Sequence, residues 1–281
     1  MISASDALED RPETIPDISI RFDGDCSQAN GVDLPVVVIN LPHRVDRWQI
    51  LSRRMAAIGL TKLIKAPAID GRRLSDRQVA MVLRSPSDVS QAPRSHLTLT
   101  RPAIGCFLSH LAIWRWVRDL TLPRVLVLED DAAPRSGQSP MQFRDVVTAI
   151  PEDADLVFLG QLIMGGLADQ HAGSVLARLY YFNGTFAYLI TPKACARLIA
   201  HALPMYAHLD HQLSQFFIAQ RDAFPAYHAA PQLFEPDWSL RSDCYVPLTD
   251  DAAADCELGG LIAETRTALL DEGRLLLPMT A

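Results

Sequence analysis

The sequence predicts an α/β fold, a single domain with a mostly parallel central sheet flanked by helices. Three observations predict it. Pro35 to Leu41, PVVVINL, is a short β-branched apolar run, the composition of a strand buried on both faces. A helical pattern and a second such run follow at once, the opening of a βαβ unit. In mid-chain, the aliphatic run from Val125 ends in three adjacent carboxylates, Glu129, Asp130 and Asp131.

The elements follow in order. From Val45 to Ile58 the residues Trp48, Leu51, Met55 and Ile58 make one apolar helical face, and Gly59 is a C-terminal stop. Leu63 to Ile69 reads as a strand ending in the Asp70-Gly71 turn. Residues 72 to 84 suit a short helix. Ser85 to Pro102 is rich in Ser, Pro, Gln and Thr and reads as a loop, long enough to suggest a substrate-contacting segment. Ala103 to Arg118 is apolar on most sides, which predicts a buried helix. Gly105 on it would allow close backbone approach. Beyond the central strand, Phe143 to Ile150 suggests a helix, and Asp155 to Gly160 and Thr185 to Ile190 suggest strands. Thr191-Pro192 reads as a helix cap with proline in the first turn. Leu209 to Ala219 and Asp255 to Gly273 are helical in composition. Residues 1–32 are expected to be a flexible acidic segment, 33–250 the domain, and 251–281 a helical segment packed on it.

Composition excludes several classes. Of 281 residues, 49% are apolar, enough for a sizeable core. No run approaches the roughly 18 apolar residues that span a bilayer. The N-terminus lacks the basic start and apolar centre of a secretory signal, so a cytoplasmic protein is expected. Five cysteines, with no C-x-x-C spacing, argue against a disulfide framework or structural zinc. A net charge of −7 argues against nucleic-acid binding. The 23 arginines against 3 lysines reflect either genomic base composition or a need for guanidinium forks on phosphate.

Three anions at the end of a buried strand repel one another unless something neutralises them. Parallel strands deliver functional residues at their carboxyl ends, and a hard divalent cation, Mn²⁺ or Mg²⁺, prefers oxygen ligands. A solvated acidic turn is the alternative. The E-D-D-A-A run lacks the pattern of haloacid-dehalogenase phosphatases, and its mid-chain place does not suit a response-regulator receiver. Glu129-x-Asp131 has the D-x-D-type spacing of sugar-nucleotide glycosyltransferases.

Several segments resemble glycosyltransferase family 25, the lipooligosaccharide-type enzymes that include the collagen galactosyltransferases. In family order these are VINLPHRVDRW (38–48), AIDG (68–71), IGCFLSHLAIW (104–114), LVLEDD (126–131) and DLVFLG (155–160). Weaker matches are Gly184 to Tyr188, Leu209 to His211 and Ser242-Asp243. The chain departs from the pattern at Pro42-His43 and Ala103. The resemblance implies a GT-A-like fold and inverting transfer of a hexose, usually galactose, from a UDP-sugar to a glycan or hydroxylated acceptor in surface-polysaccharide synthesis. It also implies Mn²⁺ or Mg²⁺. An acceptor carried on lipid would imply peripheral work at the inner membrane face. An inactive nucleotide-sugar-binding module and a metal-dependent nucleotide-diphosphate hydrolase are the alternatives.

Roles follow residue by residue. Asn40 and Leu41 would flank the nucleotide base, and Arg44 and Arg47 would reach a bound anion. Asp70 would accept from ribose or base. Ser109, His110 and Asp130 would contact the donor. Asp131, with Glu129 and His228, would hold the metal. Asp210 would be the general base, with a second metal ligand or a helix N-cap as the alternatives.

Overall fold

The computed structural model describes residues 34–83, 99–162, 164–165, 175–220, 222–240 and 242–244. The expected segments 1–32 and 251–281, and most of the 85–102 loop, lie outside the described residues. The first half runs β1 (Val36–Asn40), α1 (Val45–Ala57), β2 (Leu63–Pro67), a 3-10 turn (Gly71–Arg73), α2 (Asp76–Val82), α3 (Arg101–Arg118), β3 (Val125–Glu129), β4 (Ala132–Pro134) and α4 (Pro140–Ala149). The second runs β5 (Leu156–Gly160), β6 (Met164–Gly165), β7 (Leu176–Arg178), β8 (Tyr181–Phe182), β9 (Ala187–Ile190), α5 (Pro192–Ala202), α6 (Leu209–Ala219), β10 (Tyr227–Ala229) and β11 (Phe234–Pro236).

Seven strands form one sheet in the order β2-β1-β3-β9-β5-β10-β7. The expected α/β class holds, but the sheet is mixed rather than mostly parallel. β1 is parallel to β2 and β3, and β10 to β5. β9 runs antiparallel between β3 and β5, and β7 runs antiparallel to β10. The reason sequence reading missed this is physical. A central strand covered on both faces is apolar throughout, whichever way it runs.

Alternation along the strands explains that covering. Val37, Ile39, Val127 and Phe158 point to a core shared with α2, α3, α5 and α6. Val36, Val38, Leu128 and Val157 point to a second core under α1 and α4. Burying each such side chain contributes roughly 1.5–3 kcal/mol, so both faces hold the sheet.

Helix starts are set by side-chain caps. Thr100 accepts from the Ala103 N–H with Pro102 in the first turn, so α3 begins at Arg101, two residues earlier than its apolar pattern suggests. Ser139 and Gln142 form a capping box that starts α4 at Pro140. Thr191 caps α5 ahead of Pro192, as the sequence predicts.

Candidate functional site

Because β9 is antiparallel to both neighbours, β3 and β5 point the same way. The carboxyl ends of β1, β2, β3, β5 and β10 therefore share one edge of the sheet. Ile39 pairs with Glu129 in register, which places Asn40 and Leu41 beside the acidic triplet. The Ala68 N–H donates to the Asn40 carbonyl at 2.9 Å and carries the chain toward Asp70. Gly71 and Gly105 let that turn lie on α3. A Cβ on Gly105 would stand 2.4 Å from the Gly71 nitrogen and 2.5 Å from the Ile69 oxygen. The Ser109 hydroxyl completes the join, accepting from the Ile69 N–H at 2.8 Å and donating to the Gly105 carbonyl at 2.7 Å.

These elements enclose one cleft. Leu41, Arg47, Asp70, Ser109, Glu129, Asp130 and Asp131 line it, joined by Asp243 and Cys244. Asn40, Arg44 and His110 bond to residues that line the cleft. Arg47 on α1 is buried and donates to Asp130 Oδ1 at 2.7 Å. It also stands 3.9 Å from Asp131 and 3.5 Å from Asp243. Asn40 donates to the other Asp130 oxygen at 2.7 Å, and its own Oδ1 is buried without a partner among the described residues. Asp130 thus fixes a guanidinium and an amide at the cleft wall. Burial raises the Asp130 carboxyl above its ordinary value, against the pull of Arg47 and Asn40. Arg44 pairs with Asp243 and, at 3.0 Å, with Asp46. Asp70 accepts from the Arg72 N–H at 3.1 Å and so shapes its own turn.

Glu129 turns inward. Its Oε1 accepts from the Thr185 hydroxyl at 2.6 Å and lies 3.2 Å from His110 Nε2. On the far side of the ring, Nδ1 lies 2.8 Å from the Tyr188 hydroxyl, which accepts from Trp114 Nε1–H at 3.0 Å. The network assigns the proton to His110 Nε2, donating to Glu129, with the Tyr188 O–H donating to Nδ1. Burial pushes the Glu129 carboxyl up, but His110, Thr185 and Arg47 together hold it below its ordinary value.

Asp131 differs from its two neighbours. Its Oδ1 is buried and has no hydrogen-bond partner among the described residues. Burial, then the charges of Glu129 and Asp130, push its carboxyl up to about 7, with Arg47 opposing. Asp131 Oδ1 is the open carboxylate oxygen here that a hard divalent cation, Mn²⁺ or Mg²⁺, would take; both Asp130 oxygens and Glu129 Oε1 are already engaged. A second set, Cys106, His110 and Glu129, has its ligand atoms within 4.8 Å of one another. That set fits less well. Glu129 and His110 already satisfy each other, and Cys244, burial and nearby carboxylates hold the Cys106 thiol protonated.

Asp210 and His228 are placed elsewhere. Near the start of α6, Asp210 accepts from the Gly184 and His211 N–H groups, each at 2.9 Å. It does not line the cleft, although its charge acts on Cys106. His228 on β10 is buried and lines a separate groove. Sequence reading gave no role to Asp243, which touches both arginines. The only signal for it was the Ser242-Asp243 pair. Gln161 was also missed, although it directly follows a strand on the functional edge.

An α/β frame with acidic and basic groups gathered at strand ends has the place and the chemistry to take a polar, charged ligand. Residues 33–150 match the model of glycosyltransferase family 25 (LPS biosynthesis protein), so the resemblance read from the motifs is borne out. Procollagen galactosyltransferase 2 of Homo sapiens is 28% identical over 200 residues, covering 69% of this chain and 32% of that protein. Inactive glycosyltransferase 25 family member 3 of Homo sapiens is 27% identical over 265 residues, covering 84% of this chain and 43% of that protein. The chain spans less than half the length of either relative. A crystal structure of apo UDP-glucose pyrophosphorylase aligns with a TM-score of 0.31 and 10% identity, over 60% of this chain and 61% of that one. That is too low for a shared fold.

Proposed function

We propose that the chain is a glycosyltransferase. It moves a hexose, galactose by preference, from a UDP-sugar to a glycan or hydroxylated acceptor of the surface-polysaccharide type, on a GT-A-like frame. The match to family 25 supports transfer. The observation that carries the site is Asp131, whose Oδ1 is buried without a partner among the described residues while its Oδ2 stands 3.9 Å from Arg47.

Asp131 is the residue that would hold Mn²⁺ or Mg²⁺, with Asp130 and Glu129 adding negative charge behind it. When bound, such an ion neutralises charge on diphosphate oxygens. Arg47 and Arg44 carry the remaining positive charge. Asp243 stands against both where a phosphate would, so a diphosphate entering the cleft replaces it as their partner. Asn40 Oδ1 offers an acceptor to an N–H of the base, and Asp70 offers one to ribose. Transfer with inversion needs a base to take the acceptor hydroxyl's proton as that oxygen attacks the anomeric carbon. Asp210, the base the sequence points to, lies outside the cleft with both oxygens on backbone N–H groups, so in that role it would have to exchange one of those bonds for the acceptor hydroxyl. The electron pair of the broken bond leaves with the diphosphate, where the arginines stabilise it. Among the described residues no helix is long and apolar enough to cross a membrane. A lipid-linked acceptor would bring the chain to the inner membrane face.

A second reading is a nucleotide-sugar-binding module without turnover. The relative named inactive, which aligns with 84% of this chain, favours it. Purified protein with Mn²⁺ and a panel of nucleotide sugars, with and without acceptors, separates the readings. UDP release stimulated by acceptor is expected. Saturable UDP binding without release would establish the module, and acceptor-independent release from any nucleotide diphosphate would establish a hydrolase.

A further inference from the structure

A second groove opens on the same edge of the sheet, with a volume of about 550 Å³, within the roughly 300–1,000 Å³ of small-molecule sites. A ribbon of β4 and β11 separates it from the acidic cleft, with Glu235 opposite Ala133. The ribbon starts beside Asp131, whose carbonyl accepts from the Asp237 N–H at 2.8 Å. Its other side carries Arg135, Glu235 and Trp238 into the groove.

Gln161 forms part of the groove wall where the chain leaves β5. It is 4% exposed, yet neither Oε1 nor Nε2 has a partner among the described residues. A buried amide left unpaired is costly, so this side chain is arranged for something that enters. An amide presents one acceptor and a pair of donors side by side. Adjacent hydroxyls of a sugar ring, each able to donate and accept, match that arrangement.

Trp238 is 77% exposed and Leu162 43%, and both line the same groove. An indole is a flat apolar plate, and the C–H face of a pyranose is its complement. Pro231 and Pro236 stiffen the walls. Among the described residues the charged groups lining it are Arg135 and Glu235, one of each sign, so the lining carries no net charge to favour phosphate. Burial holds the His228 imidazole below its ordinary pKa.

We infer that this groove is a saccharide-binding subsite that seats a sugar ring of the acceptor, with Trp238 under the ring and Gln161 on its hydroxyls. Saccharide binding stands on the groove alone, and its identification with the acceptor rests on the glycosyltransferase reading. The ribbon, joined to Asp131 through the Asp237 N–H, then sets the acceptor ring beside that residue.

Saturation-transfer NMR on the full chain tests this, with methyl β-D-galactopyranoside, methyl β-D-glucopyranoside and lactose as probes. Ring protons of at least one probe should receive saturation from the wild-type protein. Trp238→Ala and Gln161→Leu should each weaken that binding about tenfold, the equivalent of about 1.4 kcal/mol, and Trp238→Phe should retain most of it. Trp238 is at the surface, so its variants test the inference even if Gln161→Leu fails to fold. No saturation in the wild type, or wild-type binding in Trp238→Ala, would overturn the inference. Mn²⁺-dependent UDP binding is measured in parallel. UDP binding without hexoside binding removes the groove and keeps the donor site, and hexoside binding without UDP binding does the reverse.

Discussion

The Arg47 guanidinium donates to Asp130 at 2.7 Å while standing 3.9 Å from Asp131. One buried cation from α1 thus serves two consecutive acids at the end of β3. It fully engages one and leaves the other with an open oxygen. The division of labour follows from the chain's geometry, since successive residues beyond a strand point in different directions.

Removing Arg47 strands the Asp130 carboxylate in a buried wall. Breaking a buried pair from one side costs roughly 3–5 kcal/mol. Arg47→Ala should therefore lower stability by about that amount in urea unfolding. A loss below about 1 kcal/mol, the value of a surface pair, would show that the pair is solvated.

The raised Asp131 carboxyl gives a pH dependence of definite sign. Its value of about 7 in the fold lies above the 3.8 of the free side chain. The folded state therefore binds the proton more tightly than the unfolded chain does. The stabilisation is complete below 3.8 and is lost as pH rises through about 7. Without metal, the melting temperature of the wild type relative to Asp131→Asn should fall across that window. A flat difference would place Asp131 in solvent. Cation binding must release this proton, so Mn²⁺ should stabilise the wild type more at pH above 7 than below it.

Gly105→Ala weighs two opposed effects. Alanine is favoured over glycine inside a helix by about 1 kcal/mol. The added Cβ would meet backbone atoms of the Ile69–Gly71 turn at 2.4–2.8 Å, and overpacking against backbone costs about 3 kcal/mol. The clash wins, so the variant should unfold at lower urea and lose the placement of Asp70. A stabilised variant would mean that the turn yields.

Elements marked by an unbroken apolar run, an apolar face or a cap were the most legible. β1 and β3 are such runs, α1 has one apolar face and Thr191 caps α5, so their positions follow from the chain itself. Strand direction did not, because the fully buried AYLI of β9 reads alike in either sense. β4, β10 and β11 have three residues each, too short for any period. At the site, residues at strand ends such as Asn40, Leu41, Asp70 and the acidic triplet could be placed from the strand pattern. Which acid would pair with arginine, which would turn toward His110 and which would stay open could not. That depends on α1 and α3, which reach the triplet from 83 and 19 residues away. Gln161 was legible by the same strand-end logic, but no charge or motif marked it.

The most direct test of the central claim is Mn²⁺ binding with and without UDP, read by water-proton relaxation on wild type and Asp131→Asn. The account predicts one Mn²⁺ site whose affinity rises with UDP in the wild type and is lost in the variant, with the fold intact by circular dichroism. Equal Mn²⁺ binding by the two proteins would contradict it.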